Sequence, residues 1–258
     1  MLRQRKDLVL ALARRDILDR YAGKALGGLW AIANPLLLMG VYVFAFTVLF
    51  RGRVGAEGSA LEYTAYILVG LVPWVAMTEV IGRAPEAVTS NANLVRQIVF
   101  PNELLPLKIA FGALPTFVLG LAVALLVCAL TGHASFKGWA LLPIPIICYF
   151  LMSTGFAYLL AAFGVFVRDI KEIVTVMLSM GLFLHPILYP PGVAPEALQL
   201  LFYFSPISYV LWILRDAAFY GGVTDPWVWI AAVLLSVGIF AVGFRVYTIL
   251  QPNFGNAL

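Results

Sequence analysis

The protein is a chain of 258 residues, of which 62% are hydrophobic and 12% charged, with a formal net charge of +4. This composition, gathered into long apolar runs, is typical of a membrane protein with many spans. It leaves no room for a soluble catalytic domain, which needs about 100 residues. Seven of the seventeen Lys and Arg residues lie within the first 29 positions. Basic residues beside apolar runs indicate membrane orientation and contact with anionic lipid, so we do not expect this charge to bind nucleic acid.

The first segment, residues 6–29, has the periodicity of an amphipathic helix. At 100° per residue its apolar and charged side chains fall on opposite sides: Leu10, Ala11, Ile17, Leu18, Tyr21, Ala22 and Ala25 against Asp16, Asp19, Arg20 and Lys24. This pattern predicts an interfacial helix on the cytoplasmic membrane face, with Arg14, Arg15 and Arg20 as its basic residues. Arg14 lies on the apolar side and would have to snorkel to the headgroups. The alternative is a plain basic leader that only sets topology.

Six apolar runs follow, each long enough to cross a bilayer core, which needs about 20 residues per helix. We predict spans at 30–50, 63–81, 107–130, 139–167, 173–189 and 227–250. With the amino terminus in the cytoplasm, thirteen Lys and Arg residues fall on the cytoplasmic side and four on the outer side. This distribution follows the positive-inside rule and places both termini in the cytoplasm. The prediction is one transmembrane domain over 1–258: interfacial helix 1–29, bundle 30–250 and cytoplasmic tail 251–258.

The first span carries Tyr42, Phe46 and Phe50 at intervals of four residues, which puts them on one helix face. Aromatic faces can stack against sugar rings, although such a stripe is also common in ordinary packing. The second loop, 82–106, contains apolar and polar residues that alternate up to Pro101. This pattern predicts a short amphipathic helix. Such a helix either lies on the membrane surface or, in a transporter, transmits force from a cytoplasmic motor protein.

Between spans five and six, the apolar stretches 197–204 and 207–214 are too short to cross a bilayer and are separated by Pro206. We interpret them as re-entrant or interfacial half-helices on the outer side. The fold class predicted is therefore all-α and integral to the membrane, with six transmembrane helices, an amino-terminal interfacial amphipathic helix and re-entrant outer half-helices.

Several kinds of chemistry have no counterpart in the sequence. There is no GxxxxGK[ST] loop, no paired-carboxylate motif and no Cys/His cluster, so ATPase, group-transfer and metal sites are not expected. Cys128 and Cys148 lie in apolar spans and are expected to pack as small hydrophobes. Glu79 is the clearest ionisable residue inside the membrane. It is either packed against polar neighbours or the ion-coupling site of a secondary transporter.

Five segments in order resemble the membrane subunit of type-2 ABC exporters, in the branch that moves O-antigen, capsule or teichoic acid. They are RRDILDRYAGKALGGLWAIANPLL (14–37), RQIVFPNELLPLK (96–108), FVRDIKEIV (166–174), FLHPILYPP (183–191) and SPISYVLWILRD (205–216). The resemblance implies a homodimer joined to two copies of a cytoplasmic ATP-binding subunit. That partner would hold ATP and Mg, so this chain would carry no cofactor. His185 is a departure, because the family suggests a small polar residue before the proline.

The resemblance also implies roles for particular residues. The loop helix would contact the ATP-binding subunit through Leu94, Arg96, Ile98, Val99, Phe100 and Pro101. From the aromatic face of span one, and not from the resemblance, we take Tyr42, Phe46 and Phe50 as candidates for the channel lining, with Tyr21 near its cytoplasmic mouth. Candidates for an outer gate within 196–220 are Phe202, Tyr203, Phe204, Tyr209 and Trp212.

We expect an exporter of lipid-linked polysaccharide in a bacterial inner membrane, with its channel at the homodimer interface. The same fold could instead carry a drug or a small lipid. A secondary transporter and a membrane glycosyl- or acyl-transferase are further alternatives. The nearest acidic cluster for such an enzyme is Asp169 with Glu172, which is better interpreted as a solvated loop.

Overall fold

The computed structural model describes residues 8, 11–16, 18, 22–24, 27–49, 59–95, 101–189 and 194–258. Within these ranges the regular structure is entirely helical, without strands. Twelve α-helices can be numbered in these ranges: α1 Trp30–Val43, α2 Ala60–Arg83, α3 Ala92–Val95, α4 Leu104–Gly112, α5 Leu114–Leu130, α6 Phe136–Leu141, α7 Pro143–Phe166, α8 Ile170–Leu184, α9 Glu196–Phe204, α10 Pro206–Arg215, α11 Pro226–Leu250 and α12 Phe254–Ala257. Two π-helical segments extend α1 and α10: Phe44–Leu49 and Asp216–Tyr220.

Five helical segments are long and apolar enough to cross a membrane: Gly27–Leu49, Ala60–Glu86, Leu104–Leu130, Pro143–Phe166 and Pro226–Asn253. They correspond to the predicted spans one, two, three, four and six. A sixth would be counted if α9 and the helix that follows it crossed together, although these two are bent by 97°. The described ranges therefore hold five to six candidate spans, which confirms the all-helical, multi-span class.

The predicted fifth span differs from the helix observed. Helix α8 has 15 residues and ends at Leu184, so it rises about 22 Å against a hydrocarbon core of about 30 Å. It ends there because His185 precedes Pro186, and a residue before proline is pushed out of the helical region, here to φ −119° and ψ 157°. Predicted span four also begins later than expected, since Pro143 starts α7 and leaves α6 as a separate helix.

Helix α2 lies at the centre of the core. Ser59 caps it through a reciprocal capping box with Glu62, and most of its residues are buried. We call the end of the bundle where α2 begins the Ser59 end; it is formed by 59–63, 131–142, 185–189 and 205–226. The opposite end, which we call the Pro85 end, is formed by 83–95, 101–104, 166–171 and 251–258.

Helices α7 and α11 pack along each other through glycines. A Cβ built on Gly155 would lie 2.7 Å from the backbone of Ile239 and Phe240, and one on Gly243 would meet the backbone of Gly155. Small residues at such crossings let membrane helices approach closely enough for backbone-to-backbone contact. Gly164 has the same role at the Pro85 end, where its Cα faces the backbone of Pro85.

Replacing Gly155 by Val is therefore expected to destabilise the folded subunit by about 3 kcal/mol or more, because the facing backbone cannot move aside. The yield of monodisperse protein in mild detergent and its thermal unfolding temperature measure this effect. Gly238→Val is the matched control, since a Cβ on Gly238 meets open space on the same helix pair. Equal unfolding temperatures for the two variants would contradict the close approach.

Candidate functional site

The chain that leaves α8 at the Ser59 end is held by its backbone carbonyls. Arg215 donates from Nη1 to the carbonyl of Pro186 and from Nη2 to that of Ile187. The next two carbonyls are held from α2: the Tyr63 hydroxyl donates to Leu188 over 2.8 Å, and the Tyr66 hydroxyl donates to Tyr189 over 2.7 Å. We call Arg215, Tyr63, Tyr66 and these four carbonyls the carbonyl clamp. It satisfies non-helical backbone that is buried among helices, where each unpaired carbonyl would be costly.

Helical spacing positions the clamp. Tyr63, Tyr66 and Gly70 follow one another at intervals of three and four residues, so they share one face of α2. Gly70 leaves the room that the guanidinium occupies, because a Cβ there would meet Nη2 of Arg215. The guanidinium carbon lies 3.8 Å from the centre of the Tyr66 ring, in a cation–π arrangement.

Arg215 is an uncommon buried cation. It is 2% exposed, and no carboxylate lies within ion-pair distance of it among the described residues. Its Nε has no hydrogen-bond partner in the same part of the chain. The carbonyls and the Tyr66 ring therefore provide the electrostatic stabilisation that a carboxylate usually supplies.

The neighbouring Asp216 is also buried, at 6% exposure, and its carboxylate is fully engaged. It accepts from Trp229 Nε1 over 2.8 Å, from the Thr224 amide over 3.1 Å and from the Thr224 hydroxyl over 2.5 Å. Asp216 begins the π-helical segment that ends at Gly221, whose φ of +80° favours glycine. Asp216 therefore joins the end of α10 to the loop before α11 and to the first turns of that helix.

A cavity of about 520 Å³ opens beside these two residues. It lies between α2, α9, α10 and α11, and its lining is mostly aromatic and polar: Tyr66, Pro186, Tyr189, Ala194, Gln199, Phe202, Tyr203, Trp212, Arg215, Asp216, Tyr220, Thr224, Asp225 and Val228. We call this space the Trp212 cavity. Its volume lies in the range of small-molecule sites, about 300–1,000 Å³.

Three of the five outer-gate candidates, Phe202, Tyr203 and Trp212, line this cavity, and Tyr209 packs on Trp212 from outside the lining. Tyr203 and Tyr209 both pack on Trp212 with ring centres 5.3 Å apart, and Phe202 is buried in the lining. Phe204 is 84% exposed and lies outside the cavity lining. The gate role itself stays a prediction.

His185, the departure noted in the sequence, connects two of these elements. Its Nδ1 lies 2.6 Å from the Gly181 carbonyl and its Nε2 lies 2.8 Å from the Ser205 hydroxyl. Because a carbonyl only accepts, Nδ1 carries the proton, and Nε2 of the neutral ring accepts from Ser205. The ring also packs 4.8 Å from that of Trp74. His185 therefore ties the end of α8 to the bend between α9 and α10.

The channel-lining candidates on α1 remain separate from this cavity. Tyr42 is half-buried against the core, while Phe44 is 55% exposed. From Phe44 onward the helix is π-helical, so the 100° spacing that placed Tyr42, Phe46 and Phe50 on one face no longer applies. The side chain of Phe46 lies outside the described residues, as do Tyr21 and Phe50.

Of the segment 94–101, which is predicted to contact an ATP-binding subunit, the structure describes only the two ends. Leu94 is half-buried in α3, and Pro101 is non-helical, with its carbonyl accepting from the Leu104 amide. Arg96, Ile98, Val99 and Phe100 lie outside the described residues. The chain after this gap is firmly attached, since the hydroxyls of Tyr247 and Tyr158 donate to the carbonyls of Asn102 and Glu103 over 2.8 and 2.9 Å.

Part of the predicted interfacial helix is visible. Residues 11–16 are helical, and Asp16 accepts two hydrogen bonds of 2.7 and 2.8 Å from Arg83 at the end of α2. Arg14 and Arg15 are exposed, while Ala13 is buried. Arg14 borders an apolar groove of about 490 Å³ against α4 and α5. Arg20 lies outside the described residues, and the interfacial role stays a prediction.

Glu79 has polar neighbours. It accepts from the Thr116 hydroxyl over 2.8 Å and lines a cavity of about 440 Å³ that Lys24, Asn34 and Thr78 also border. This arrangement agrees with the interpretation of Glu79 as a residue packed against polar groups.

Sequence reasoning missed the carbonyl clamp. Arg215 is one of the four basic residues that the positive-inside count places on the outer side, whereas the structure buries it. A signal was present: Arg215 and Asp216 stand between the apolar stretches WIL and AAF, where a solvated loop would carry more polar residues. The carbonyls that Arg215 holds lie 29 and 28 positions earlier in the chain, and Tyr66 is farther still, so no local pattern reveals these partners.

Comparison with known proteins places this helical architecture in a family. The family model described as ABC-2 type transporter matches residues 7–219. A relative named O-antigen export system permease protein RfbA, from Myxococcus xanthus, is 31% identical over 187 residues, which cover 72% of this chain and 70% of the relative. A protein of the same name from Klebsiella pneumoniae is 24% identical over 255 residues, covering 98% of this chain and 95% of the relative. These relatives are transport components and not enzymes. The chain belongs to the ABC-2 type transporter family.

Proposed function

We propose that this chain is the membrane-spanning subunit of an ATP-driven exporter of lipid-linked polysaccharide of the O-antigen type. Two copies form a channel along their shared interface, and two copies of a cytoplasmic ATP-binding subunit bind and hydrolyse ATP with Mg. The observation that carries the proposal is similarity over 98% of this chain to a protein named as an O-antigen export permease. The membrane would be the bacterial inner membrane.

The distribution of charge supports an orientation with the Pro85 end in the cytoplasm. Arg83, Arg168 and Lys171 lie at this end, whereas the exposed basic residue described at the Ser59 end is Lys137. Cytoplasmic loops carry the excess of Lys and Arg. The Trp212 cavity and the bend between α9 and α10 then lie on the outer side, and both termini lie in the cytoplasm.

A route for mechanical coupling follows from this orientation. The partner would press on the segment around 94–101. Val95, at the start of this segment, belongs to the same buried cluster as Ala84, in the turn Ala84–Glu86 that follows α2. Glu86 accepts from Lys171 over 2.6 Å, and Lys171 lies in the first turn of α8. Helix α8 leads to the carbonyl clamp, so a displacement at the Pro85 end reaches the outer elements through one rigid helix. Tyr21, Tyr42, Phe46 and Phe50 are the proposed lining of the channel.

The test is recovery of the tagged chain from its own host in a gentle detergent, with its partners identified by mass spectrometry. We expect a cytoplasmic protein with a GxxxxGK[ST] loop in one-to-one ratio. A host that lacks the gene should lose surface polysaccharide, as seen by gel electrophoresis of its envelope, and should regain it with the intact gene.

Two results would contradict the proposal. Efficient recovery without an ATP-binding partner, even after crosslinking, would contradict an ATP-driven exporter. It would favour a secondary transporter with Glu79 as its ion-coupling residue. An ATP-binding partner with unchanged surface polysaccharide in the deletion strain would show a different cargo, such as a drug or a small lipid.

A further inference from the structure

The Trp212 cavity combines two kinds of lining that rarely occur together in a membrane bundle. Aromatic rings form much of its wall, and those of Tyr203 and Trp212 pack on each other with centres 5.3 Å apart. Several polar groups of the lining residues form no hydrogen bond within the part of the chain that the structure describes: the hydroxyls of Tyr189, Tyr203 and Tyr220 and the indole N–H of Trp212. A ligand with a flat apolar face and several acceptor oxygens would satisfy both.

The charges of the lining decide against an anionic ligand. The lining contains one cation, Arg215, and two carboxylates, Asp216 and Asp225. The Nη atoms of Arg215 are already used by the carbonyls of Pro186 and Ile187, so the bidentate grip that selects carboxylates and phosphates is not available. The lining has an excess of negative charge, so it disfavours acidic groups.

The same features fit a neutral pyranose. The axial C–H groups of such a ring pack on an aromatic face, while its hydroxyls and ring oxygen accept from phenol and indole donors. Gln199 adds an amide oxygen that can accept from a sugar hydroxyl, because its nitrogen is engaged with the Ala194 carbonyl over 2.7 Å. An acyl chain would displace water from these polar groups without replacing its hydrogen bonds, so the lining favours a sugar over an acyl chain.

We infer that the Trp212 cavity is a binding subsite for a neutral pyranose unit of the exported chain, contained within one subunit at its outer side. This inference rests on the proposed function for the source of the sugar, although the binding itself requires neither ATP nor a partner. The mouth is bordered by Tyr203 and Tyr220, which are 61% and 47% exposed. Phe202 and Tyr203 of α9 and Trp212 of α10 line the cavity, so a sugar in it would contact both helices proposed to move as a gate.

Saturation-transfer NMR on the full chain in lipid nanodiscs, with whatever subunits it retains, tests the subsite. The probes are methyl β-D-glucopyranoside, methyl α-D-mannopyranoside and methyl β-D-galactopyranoside. Methyl β-D-glucuronide, a glucuronate with a free ionised carboxylate, is the acidic comparison. We expect transfer to at least one neutral glycoside and weaker transfer to the glucuronate. Trp212→Leu should lower the transfer about fivefold, because the stacking face is removed. Trp227→Leu is the matched control: Trp227 is 67% exposed and outside the cavity, so its loss should leave the transfer unchanged.

Tyr203→Leu keeps the test decisive if Trp212→Leu folds poorly, because an exposed ring can be removed with little change in packing. It should lower transfer in the same direction. No transfer to any glycoside, equal transfer in wild type and both cavity variants, or stronger transfer to the glucuronate would each overturn the assignment. Failure here with an ATP-binding partner recovered would remove the subsite and leave the exporter standing. Sugar binding without recovery of such a partner would support the subsite and contradict the ATP-driven exporter.

Discussion

Replacing Arg215 by Leu is expected to destabilise the subunit by about 3–5 kcal/mol and to abolish export. The substitution removes both donors that hold the Pro186 and Ile187 carbonyls, and leucine offers none in return. These carbonyls follow α8 in a buried, non-helical segment where Ile187 is fully buried, so water cannot easily replace the guanidinium. Thermal unfolding in mild detergent should shift downward by about 10 °C for a protein of this size.

A graded series separates the clamp from a general packing defect. Tyr63→Phe and Tyr66→Phe each remove a single hydroxyl, which donates to one carbonyl, so each should cost about 1–3 kcal/mol. Arg215→Lys keeps the charge but not the planar fork of donors, so its stability should lie between that of Arg215→Leu and that of the wild type. Lys137→Leu, an exposed basic residue at the same end, is the control and should leave stability unchanged. If Arg215→Leu matched this control, Arg215 would not hold the segment.

The spans could be predicted because apolar length is a property of consecutive residues. Five of the six predicted spans have helices long enough to cross, with ends displaced by a few residues. The exception, α8, shows the limit of this reasoning. Its apolar run continues past His185, yet the helix stops there because the proline that follows restricts the backbone.

The candidate site could be predicted only in part, because some of its contacts join distant parts of the chain and because α1 does not keep a regular helical repeat. The aromatic residues of 202–212 were visible as a cluster in sequence, and the structure packs most of them together. Arg215 needed knowledge of folded neighbours, since Tyr66 and Pro186 come from distant parts of the chain. The stripe on α1 depended on a regular 3.6-residue repeat, which the π-helical segment Phe44–Leu49 interrupts.

The largest effect on assembly is expected from the loop that we propose to contact the ATP-binding subunit. Changing Ile98 and Phe100 together to Asp should reduce the recovery of that partner and the export of polysaccharide by about a hundredfold or more. Burying one such side chain contributes about 1.5–3 kcal/mol, so the loss of two weakens binding by at least two factors of ten. The neighbouring contacts should persist, because Val95 is buried in the core and Tyr247 and Tyr158 hold the chain at Asn102 and Glu103.

Copurification and thermal unfolding must therefore be measured on the same preparations. The double variant should lose its partner and keep the unfolding temperature of the isolated membrane subunit. Phe136→Asp makes an equivalent change at the Ser59 end, where Phe136 is 92% exposed, and should retain the partner because that end faces away from the cytoplasm. Retention of the partner by the double variant would show that the contact lies in another part of the chain. Loss of the partner by Phe136→Asp alone would reverse the proposed orientation, because only one end of the bundle can meet a cytoplasmic motor.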